Sequence, residues 1–507
     1  MRRLVVMTLL AGMPFFLARG QFTKITKKKL NELFAARVEF SDMDVSLLCK
    51  FPNTYVALDD FLMIGTGAFE GDTLLSCKKA TIVFGLVSAI RRKHIKIKSI
   101  SLEQPRFYAH VLENGQPNWK HIMKKPEEKP KEPADTLNAQ RSTLNSESSQ
   151  LPPKAKAKPK AKPKTQVSIQ KIEINDAGIA YSDDVRKMTT SAEEVDLLLV
   201  NDKGDKDTPA SWSMQLDMGG VDLRMGSLYL MRRSRIGFVS EIVSNPDAGT
   251  LLRLKDSRLR INDMGIHVDG TVGREGQDMV ADLSFRTEEE GFKSLLSLIP
   301  VMYTDEHFDS LQTTGKFQLE GSVKGKYNNQ QKPSIAMNLN VDSAMFKYPH
   351  LPDSANNIHV AISMAYDGET AGNTTLDLNR LHVEPAGESF DMNLHIKTPQ
   401  NDTWVDGAMK GVINLEALDS LIPLRRTKLT GFMACDLSLN GLLSALEKES
   451  QEGFRSQGLL ELNNINLTND QFPQGVDIPN FSVNFTPRTI KLLRSLVSKI
   501  PPPPPSE

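Results

Sequence analysis

The feature that most constrains the fold of this 507-residue chain is an alternation of apolar and polar residues that recurs from Val167 almost to the C-terminus. Each alternating run spans about four to eight residues and is bounded by Gly, Asn, Asp or Pro. Successive side chains of a β-strand point to opposite faces, so such a run gives a strand one apolar and one polar face. The pattern predicts a mainly β fold, an elongated and twisted antiparallel sheet with a few short helices, preceded by an N-terminal apolar helix. The clearest runs are Met279–Phe285, Ile335–Val341, Ile358–Tyr366, Phe390–Ile396, Met433–Leu439 and Phe481–Phe485.

An internal repeat lies within the alternating region. FKSLLSLIP at 292–300 is matched by LEALDSLIP at 415–423, and each is followed by a strand pattern that begins with Thr-Gly, at 314–325 and 430–441. The shared SLIP could arise by chance, but the shared Thr-Gly and the strand after it make coincidence a poorer explanation. A helix-then-strand unit repeated at 292–325 and 415–441 favours a quasi-repetitive sheet over one closed barrel.

The charge distribution separates a linker from the rest of the chain. Lys plus Arg and Asp plus Glu both total 62, which excludes a whole-chain electrostatic footprint for nucleic acid. Residues 124–166 are rich in Pro and Lys, with eleven basic and five acidic residues. Such a segment buries too little apolar surface to offset its chain entropy, so we predict a disordered linker. A solvated spacer is favoured over a segment lying on an anionic membrane or nucleic acid.

The N-terminus has the pattern of an export signal. Arg2 and Arg3 precede the uncharged run Leu4–Ala18, which is shorter than the roughly 20 residues of a spanning helix but fits a signal sequence. Ala18-Arg19-Gly20 offers small residues for cleavage before Gln21. Residues 1–20 are therefore predicted to be a signal peptide or a retained signal anchor, and both interpretations stay open.

An amphipathic helix is predicted after this signal. Ile25, Leu30, Leu33 and Phe34 fall near one helical face, and several lysines lie elsewhere. The helix either lies on a membrane surface or packs its apolar face into a core, and the two interpretations have equal weight.

Motifs of common enzymes and metal sites are missing from the sequence. It contains no HExxH or HxH pair, no GxSxG, no GxxxxGK[ST] and no GxGxxG that opens a helix. We therefore predict a non-enzymatic protein with no catalytic residues, no metal and no cofactor. His359, His382 and His395 fall at polar positions of strand patterns and are interpreted as solvated side chains. Cys49 and Cys77 are predicted to be small core residues; with Cys435 they cannot form a disulfide framework.

Residues 21–123 carry short motifs whose order and spacing are specific. They are Val38–Leu47, Phe51-Pro52-Asn53, Phe69–Leu74, Leu102–Arg106, Asn114-Gly115 and Asn118-Trp119. In this order they resemble the N-terminal α+β module of the AsmA family of the Bacteroidota type, which is related to TamB and to the repeating β-groove lipid-transfer proteins. The resemblance covers about residues 1–487 and is strongest at 21–123.

The resemblance implies a fold, a location and a function. It implies an elongated sheet at 167–487 curled into a U-shaped groove, in an inner-membrane protein with its bulk in the periplasm, or a periplasmic protein if residues 1–20 are cleaved. It implies phospholipid binding or conduction and a role in outer-membrane biogenesis, with outer-membrane assembly factors as partners and no nucleic acid. The alternative is a scaffold that regulates outer-membrane protein assembly without carrying lipid.

Two features depart from the family pattern. The N-terminal apolar run is shorter than a usual anchor. Residues 488–507 form a tail with five prolines at 501–505 before Ser506-Glu507, where such proteins continue with further strands. A truncated gene, a frameshift or a short variant would each produce this tail.

The alternating runs supply the candidate groove-lining residues, because every second side chain would face the interior. The alternative is a dry core between two packed sheets, which produces the same pattern. The candidates are Met279, Leu283, Phe285, Ile335, Met337, Leu339, Val341, Val360, Ile362, Met364, Met392, Leu394, Ile396, Met433 and Leu437.

Overall fold

The computed structural model describes sixteen stretches of the chain. The segment predicted as a signal at 1–20, linker residues 124–165 and the tail 488–507 lie outside the described residues. The described stretches are 23–50, 53–85, 94–119, 166–202, 211–244, 252–276, 278–288, 290–300, 307–328, 331–349, 352–370, 373–398, 402–416, 427–447, 453–469 and 472–485.

The described residues are mainly β, as predicted, and divide into two compact units between Lys171 and Ile172. The strands of the first unit are β1 (Arg37–Glu39), β2 (Asp42–Lys50), β3 (Asn53–Ile64), β4 (Thr73–Gly85), β5 (His94–Glu103), β6 (Arg106–Val111) and β7 (Gln166–Ile169). Those that follow are β8 (Lys171–Asp183), β9 (Met188–Asp202), β10 (Ser211–Met225), β11 (Leu228–Ser244), β12 (Leu252–Ile261), β13 (Met264–Glu275), β14 (Asp278–Arg286), β15 (Glu290–Gly291), β16 (Gln312–Tyr327), β17 (Ser334–Lys347), β18 (Ala355–Tyr366), β19 (Thr375–Pro385), β20 (Phe390–Lys397), β21 (Trp404–Asn414), β22 (Lys428–Leu442), β23 (Phe454–Thr468) and β24 (Val476–Phe485).

The first unit is an antiparallel sheet with one parallel addition. β3 pairs with β1, β2 and β4, and β4 pairs with β5 and β6, all antiparallel. β7 pairs with β5 in parallel, so the fully antiparallel expectation does not hold there. Gln166, the last residue of the predicted linker, already begins this strand.

The predicted amphipathic helix occupies residues 23–33 and packs partly into the first unit. Leu30 and Phe34 contact a buried cluster, whereas Ile25 and Leu33 are more than half exposed. The Asn31 amide donates to the Val38 carbonyl, and its oxygen accepts from the Val38 amide, both at 2.9 Å. These bonds hold the helix against β1, which favours the core-facing interpretation for half of its apolar face. The cluster consists of Ala36, Val38, Met63 and Leu74.

The second unit is an antiparallel meander from β9 to β24. Each strand pairs with the next one along the chain, except that β14 and the short β15 both pair with β16. The six alternating runs fall within β14, β17, β18, β20, β22 and β24, so these strand predictions are confirmed. Short helical segments interrupt the meander at Phe292–Leu296, Phe308–Ser310 and Ser444–Glu447.

In both copies of the internal repeat, the Thr-Gly glycine lies opposite a β-bulge of the next strand. Gly315 of β16 and Gly431 of β22, the glycines of the two Thr-Gly pairs, both have positive φ, +88° and +110°. Each lies where two residues of the next strand oppose one, at 343–344 and 464–465. The first residue of each opposing pair, Ser343 or Asn464, has a left-handed φ near +50°. A bulge increases local twist, so both copies bend the sheet by the same means. The SLIP helix is described at 292–296, whereas 417–423 lies outside the described residues.

Candidate apolar binding face

The fifteen candidate residues share one face of the second unit. Residues that oppose each other in an antiparallel ladder point to the same side. Met337 opposes Met364, Leu339 opposes Ile362, and Val341 opposes Val360. The same registers carry the face through β19 to Met392, Leu394 and Ile396, and through β21 to Leu437 and Met433. On the other side, Leu283 and Phe285 join it through β16, and Met279 opposes Tyr327 at its edge. We call this surface, from β14 to β24, the apolar face.

The structure adds residues to this face that were not among the fifteen candidates, although Phe481 and Val483 belong to one of the alternating runs. The added residues come from β16, β19, β21, β23 and β24. In β19 a register shift between Ala361 and Ile362 of the neighbouring strand breaks the alternation, and in β21 glycines occupy face positions 407 and 411. In β19, alternation that allows for one extra residue between Leu378 and Leu381 would have found the face positions. The added residues are Phe317, Leu319, Val323, Leu376, Leu378, Leu381, Val405, Met409, Leu460, Leu462, Phe481 and Val483.

Most candidate side chains are half-buried. Val341 and Leu437 are buried, with 4% and 7% of their surface exposed, whereas Met279 is 56% exposed. The other twelve lie between these limits. Asn338 and Asn340, which alternate with Met337 and Leu339 along β17, are exposed on the opposite face. The sheet therefore has one polar face and one apolar face with solvent access along much of its length.

One end of the apolar face is covered by the helix Phe292–Leu296 and the turn at 308–310. Phe292, Leu296 and Phe308 pack onto the strand residues Phe317 and Val341 and form a closed cluster with them. The remaining buried members of this covered end are Met264, Ile266, Leu311, Ala344, Phe346, Tyr348, Ala355 and Ile358.

Hydrogen bonds hold this cover in place. The Asn262 amide at the β12–β13 turn donates to the Ser297 carbonyl at 2.6 Å, and both residues are buried. Lys293 Nζ donates to the Asp309 carbonyl at 2.7 Å and lies over the Phe308 ring. The helix is thereby fixed to the β12–β13 turn and to the turn at 308–310.

Exposure on the apolar face rises away from this cover along β17 and toward the β14 edge, whereas Leu437 and Cys435 in β22 are buried. Along β17, Val341 is buried under the helix, and Leu339, Met337 and Ile335 are progressively farther along the strand and only half-buried. At the far edge Met279 and Tyr327 are each 56% exposed. We call the half-buried stretch that begins at Met337 and extends away from the cover the open stretch; its apolar side chains form a surface onto which a long apolar ligand can be laid.

The polar face carries paired histidines. The interpretation of His359 and His382 as simply solvated is wrong, because their side chains are only 19% and 15% exposed. Each imidazole lies against a carboxylate of a neighbouring strand, a pairing that depends on register and is invisible in the sequence. The Nδ1 to Oδ1 distances are 2.8 Å for His359–Asp342, 2.8 Å for His382–Asp391 and 3.1 Å for His395–Asp377.

The two described cysteines are buried. Cys77 is a core residue of the first unit, as predicted. Cys435 lies on the apolar face opposite Leu460. Burial raises the pKa of both thiols, which reduces their thiolate fraction at neutral pH. The side chain of Cys49 lies outside the described part of the structure. In the described part of the chain, no three His, Cys, Asp or Glu side chains are arranged to hold a metal ion.

Comparison with known proteins adds no relative. No protein-family model matches the chain, and no curated protein or solved structure is significantly similar to it. Within the described ranges, no helical stretch combines the length and the hydropathy of a transmembrane span. The resemblance to AsmA proteins, strongest at residues 21–123, therefore stays a prediction from the sequence.

Proposed function

We propose that this chain is a non-enzymatic cell-envelope protein of the AsmA type that binds or conducts phospholipid on its apolar face and supports outer-membrane biogenesis. The proposal includes an elongated sheet curled into a U-shaped groove, with the open stretch inside it. The observation that carries it is the register that aligns half-buried apolar side chains across β14 to β24.

The energetics of acyl chains support this use of the open stretch. Moving an acyl chain from water to an apolar surface is favourable by about 0.8 kcal/mol per buried CH₂. A face that stays half-exposed leaves room for such a chain, and its methionines, among them Met337, Met364 and Met392, adapt to chains of different shape. A charged headgroup remains in water at the open side.

The location and partners of the proposed protein follow the family resemblance. We propose that the N-terminal segment holds the chain at the inner membrane, with the bulk in the periplasm, or releases it there if residues 1–20 are removed. Outer-membrane assembly factors are the proposed protein partners.

Photo-crosslinking from two adjacent strands tests the lipid proposal. A photoreactive amino acid at Met337 or Met364, which oppose each other on the apolar face, should capture phospholipid in the native membrane. The matched control positions are Asn338 and Ser363, which oppose each other one residue along on the polar face. Lipid mass spectrometry of the purified full chain identifies the captured species. Equal capture from both faces, or none from Met337 and Met364, would overturn the proposal.

A charged substitution tests lipid binding separately from folding only if the residue lies outside the covered end. Leu339 packs against the covered end, so Leu339→Asp would disturb the core as well as the open stretch. Met337 lies one pair farther from the cover and is half-buried. Met337→Asp should abolish lipid capture from Met364 while the chain still accumulates at its normal level.

A scaffold that assembles outer-membrane proteins without carrying lipid is the second candidate. The covered end supports it, because there the same alternation contributes to a cluster of buried side chains. A functional chain with Met337→Asp and no bound phospholipid would support the scaffold.

A further inference from the structure

A projecting tip is formed where β10 turns into β11. Ile236 of β11 pairs with Ile261, the last residue of β12, and the Arg235 amide donates to the turn residue Asn262. The seven residues Leu228–Ser234 of β11 therefore extend beyond β12. At about 3.3 Å per residue, this overhang reaches roughly 20 Å. The neighbouring β8–β9 turn lies beside it, and the Gly226 amide donates to the Lys187 carbonyl at 2.8 Å. We call these two turns, residues 184–188 and 224–234, the basic tip.

The basic tip exposes apolar side chains on both of its faces. Leu228, Tyr229 and Leu230 are consecutive in a strand and therefore alternate between faces, yet they are 62%, 41% and 42% exposed. Met225 and Val185 add further exposed apolar surface at the two turns. A partner on one side would leave half of these groups in water, whereas a bilayer interface surrounds both sides.

Cations surround these apolar groups. Arg224, Arg232, Arg233, Arg186 and Lys187 are all exposed, and the Arg232 guanidinium lies 5.2 Å from the centre of the Tyr229 ring.

Three acidic groups lie in or beside the basic tip: the exposed Asp184, which accepts from Ser182 Oγ at 3.5 Å, and Asp183 and Asp222, which are engaged within the protein. Asp183 is buried and accepts from Arg186 Nη1 at 2.7 Å and from the Arg186 amide at 2.9 Å. Asp222 accepts from the Arg233 backbone amide at 2.9 Å. Basic side chains beside exposed Leu, Met and Tyr are the composition of segments that bind anionic bilayer surfaces.

We propose that the basic tip inserts into the interfacial layer of a bilayer that contains anionic phospholipid. Leu228 and Leu230 enter the apolar boundary, the Tyr229 ring lies at headgroup level, and the arginines contact lipid phosphates. The proposal concerns surface docking and holds whether or not the apolar face carries lipid.

Hydrogen exchange of the full chain tests this docking locally. The chain is mixed with phosphatidylcholine vesicles with or without phosphatidylglycerol, and deuterium uptake is followed by mass spectrometry. The basic tip should be protected by the vesicles that contain phosphatidylglycerol and much less by phosphatidylcholine alone. Because the readout is local, attachment through the N-terminal segment does not mimic it. Protection elsewhere with none at the tip, or equal protection by both vesicles, would overturn the proposal.

Matched substitutions sharpen the test. Replacing Arg232→Gln or Arg233→Gln should raise the vesicle concentration that half-protects the tip about fivefold each. The double variant Leu228→Ser and Leu230→Ser should remove the protection. Phe472→Ser is the control, because Phe472 is similarly exposed at the β23–β24 turn, and it should change nothing. Protection by a protein fraction of the envelope but not by vesicles would identify a protein partner instead and refute docking on lipid. Lipid capture from Met337 is measured separately, so either proposal can fail alone.

Discussion

The covered end and the open stretch of the apolar face are built from the same strands but have different environments. Val341 and Leu339 are separated by one residue of β17 and have similar side chains. Val341 is buried beneath the Phe292–Leu296 helix, whereas Leu339 is half-buried, and Met337 and Ile335 beyond it are not in the core cluster at all. Alternation provides an apolar face, and a five-residue helix decides which part of it becomes core.

This difference assigns stability and binding to separate parts of one surface. Closed packing stabilises the fold through buried area and dispersion contacts. Half-buried side chains contribute less to stability and keep apolar surface available for a ligand. Substitutions at the covered end should therefore mainly lower stability. Substitutions in the open stretch should mainly weaken ligand binding.

The largest effect is expected at the covered end. Phe317→Ala should lower the free energy of unfolding by about 3–5 kcal/mol, because the ring is 2% exposed and its removal leaves a cavity under the helix. Urea denaturation of the full chain measures the loss. A change below about 1 kcal/mol would mean that the helix does not close this end.

Alanine substitutions of Gly315 and Gly431, which lie opposite the two bulges, test whether the two repeat copies have the same local geometry. A Cβ on Gly315 would lie 2.4 Å from Ala344 Cα, and one on Gly431 would lie 2.5 Å from the Asn464 carbonyl oxygen. With positive φ as well, Gly315→Ala and Gly431→Ala should each cost at least about 2 kcal/mol.

The control for these glycines is Gly291→Ala, where φ is −66° and a Cβ meets no atom within 4 Å. It should cost less than about 1 kcal/mol in the same urea titration. A severe loss for Gly315→Ala but not for Gly431→Ala would show that the bulge matters only beneath the cover.

A smaller effect is expected in the open stretch. Met337→Ala should cost about 1 kcal/mol of stability, because the side chain already has access to solvent. The same variant should reduce phospholipid capture from Met364 severalfold. A loss as large as that of Phe317→Ala would make this stretch core and remove the distinction between the two parts.

The smallest effect concerns Cys435, a buried residue of the apolar face outside the helix-covered cluster. Because burial raises its pKa and shields the sulfur, the thiol should react with a thiol reagent much more slowly in the native chain than in urea. Mass spectrometry of the labelled peptide measures the rate. Fast native labelling would show that the open stretch extends past β22.

Much of the fold could be predicted from the sequence because a strand has a short, strict period. The six alternating runs were placed in strands correctly, and all fifteen candidates from them lie on one face. The further face residues of β19 and β21 were missed because a register shift and glycines interrupt the period there. The partial burial of His359 and His382 was missed because their carboxylate partners belong to other strands, which only register brings near.

One-faced strands and the repeated positions of the Thr-Gly pairs can be predicted from the sequence alone. Side-chain alternation and glycine's freedom at positive φ are local properties, so they can be read along the chain. Which part of the apolar face is covered, which strand ends project and which charges meet depend on the folded arrangement of the strands. Those outcomes depend on contacts such as Asn262 with Ser297 and on the offset between β11 and β12, and such long-range geometry has no local signature.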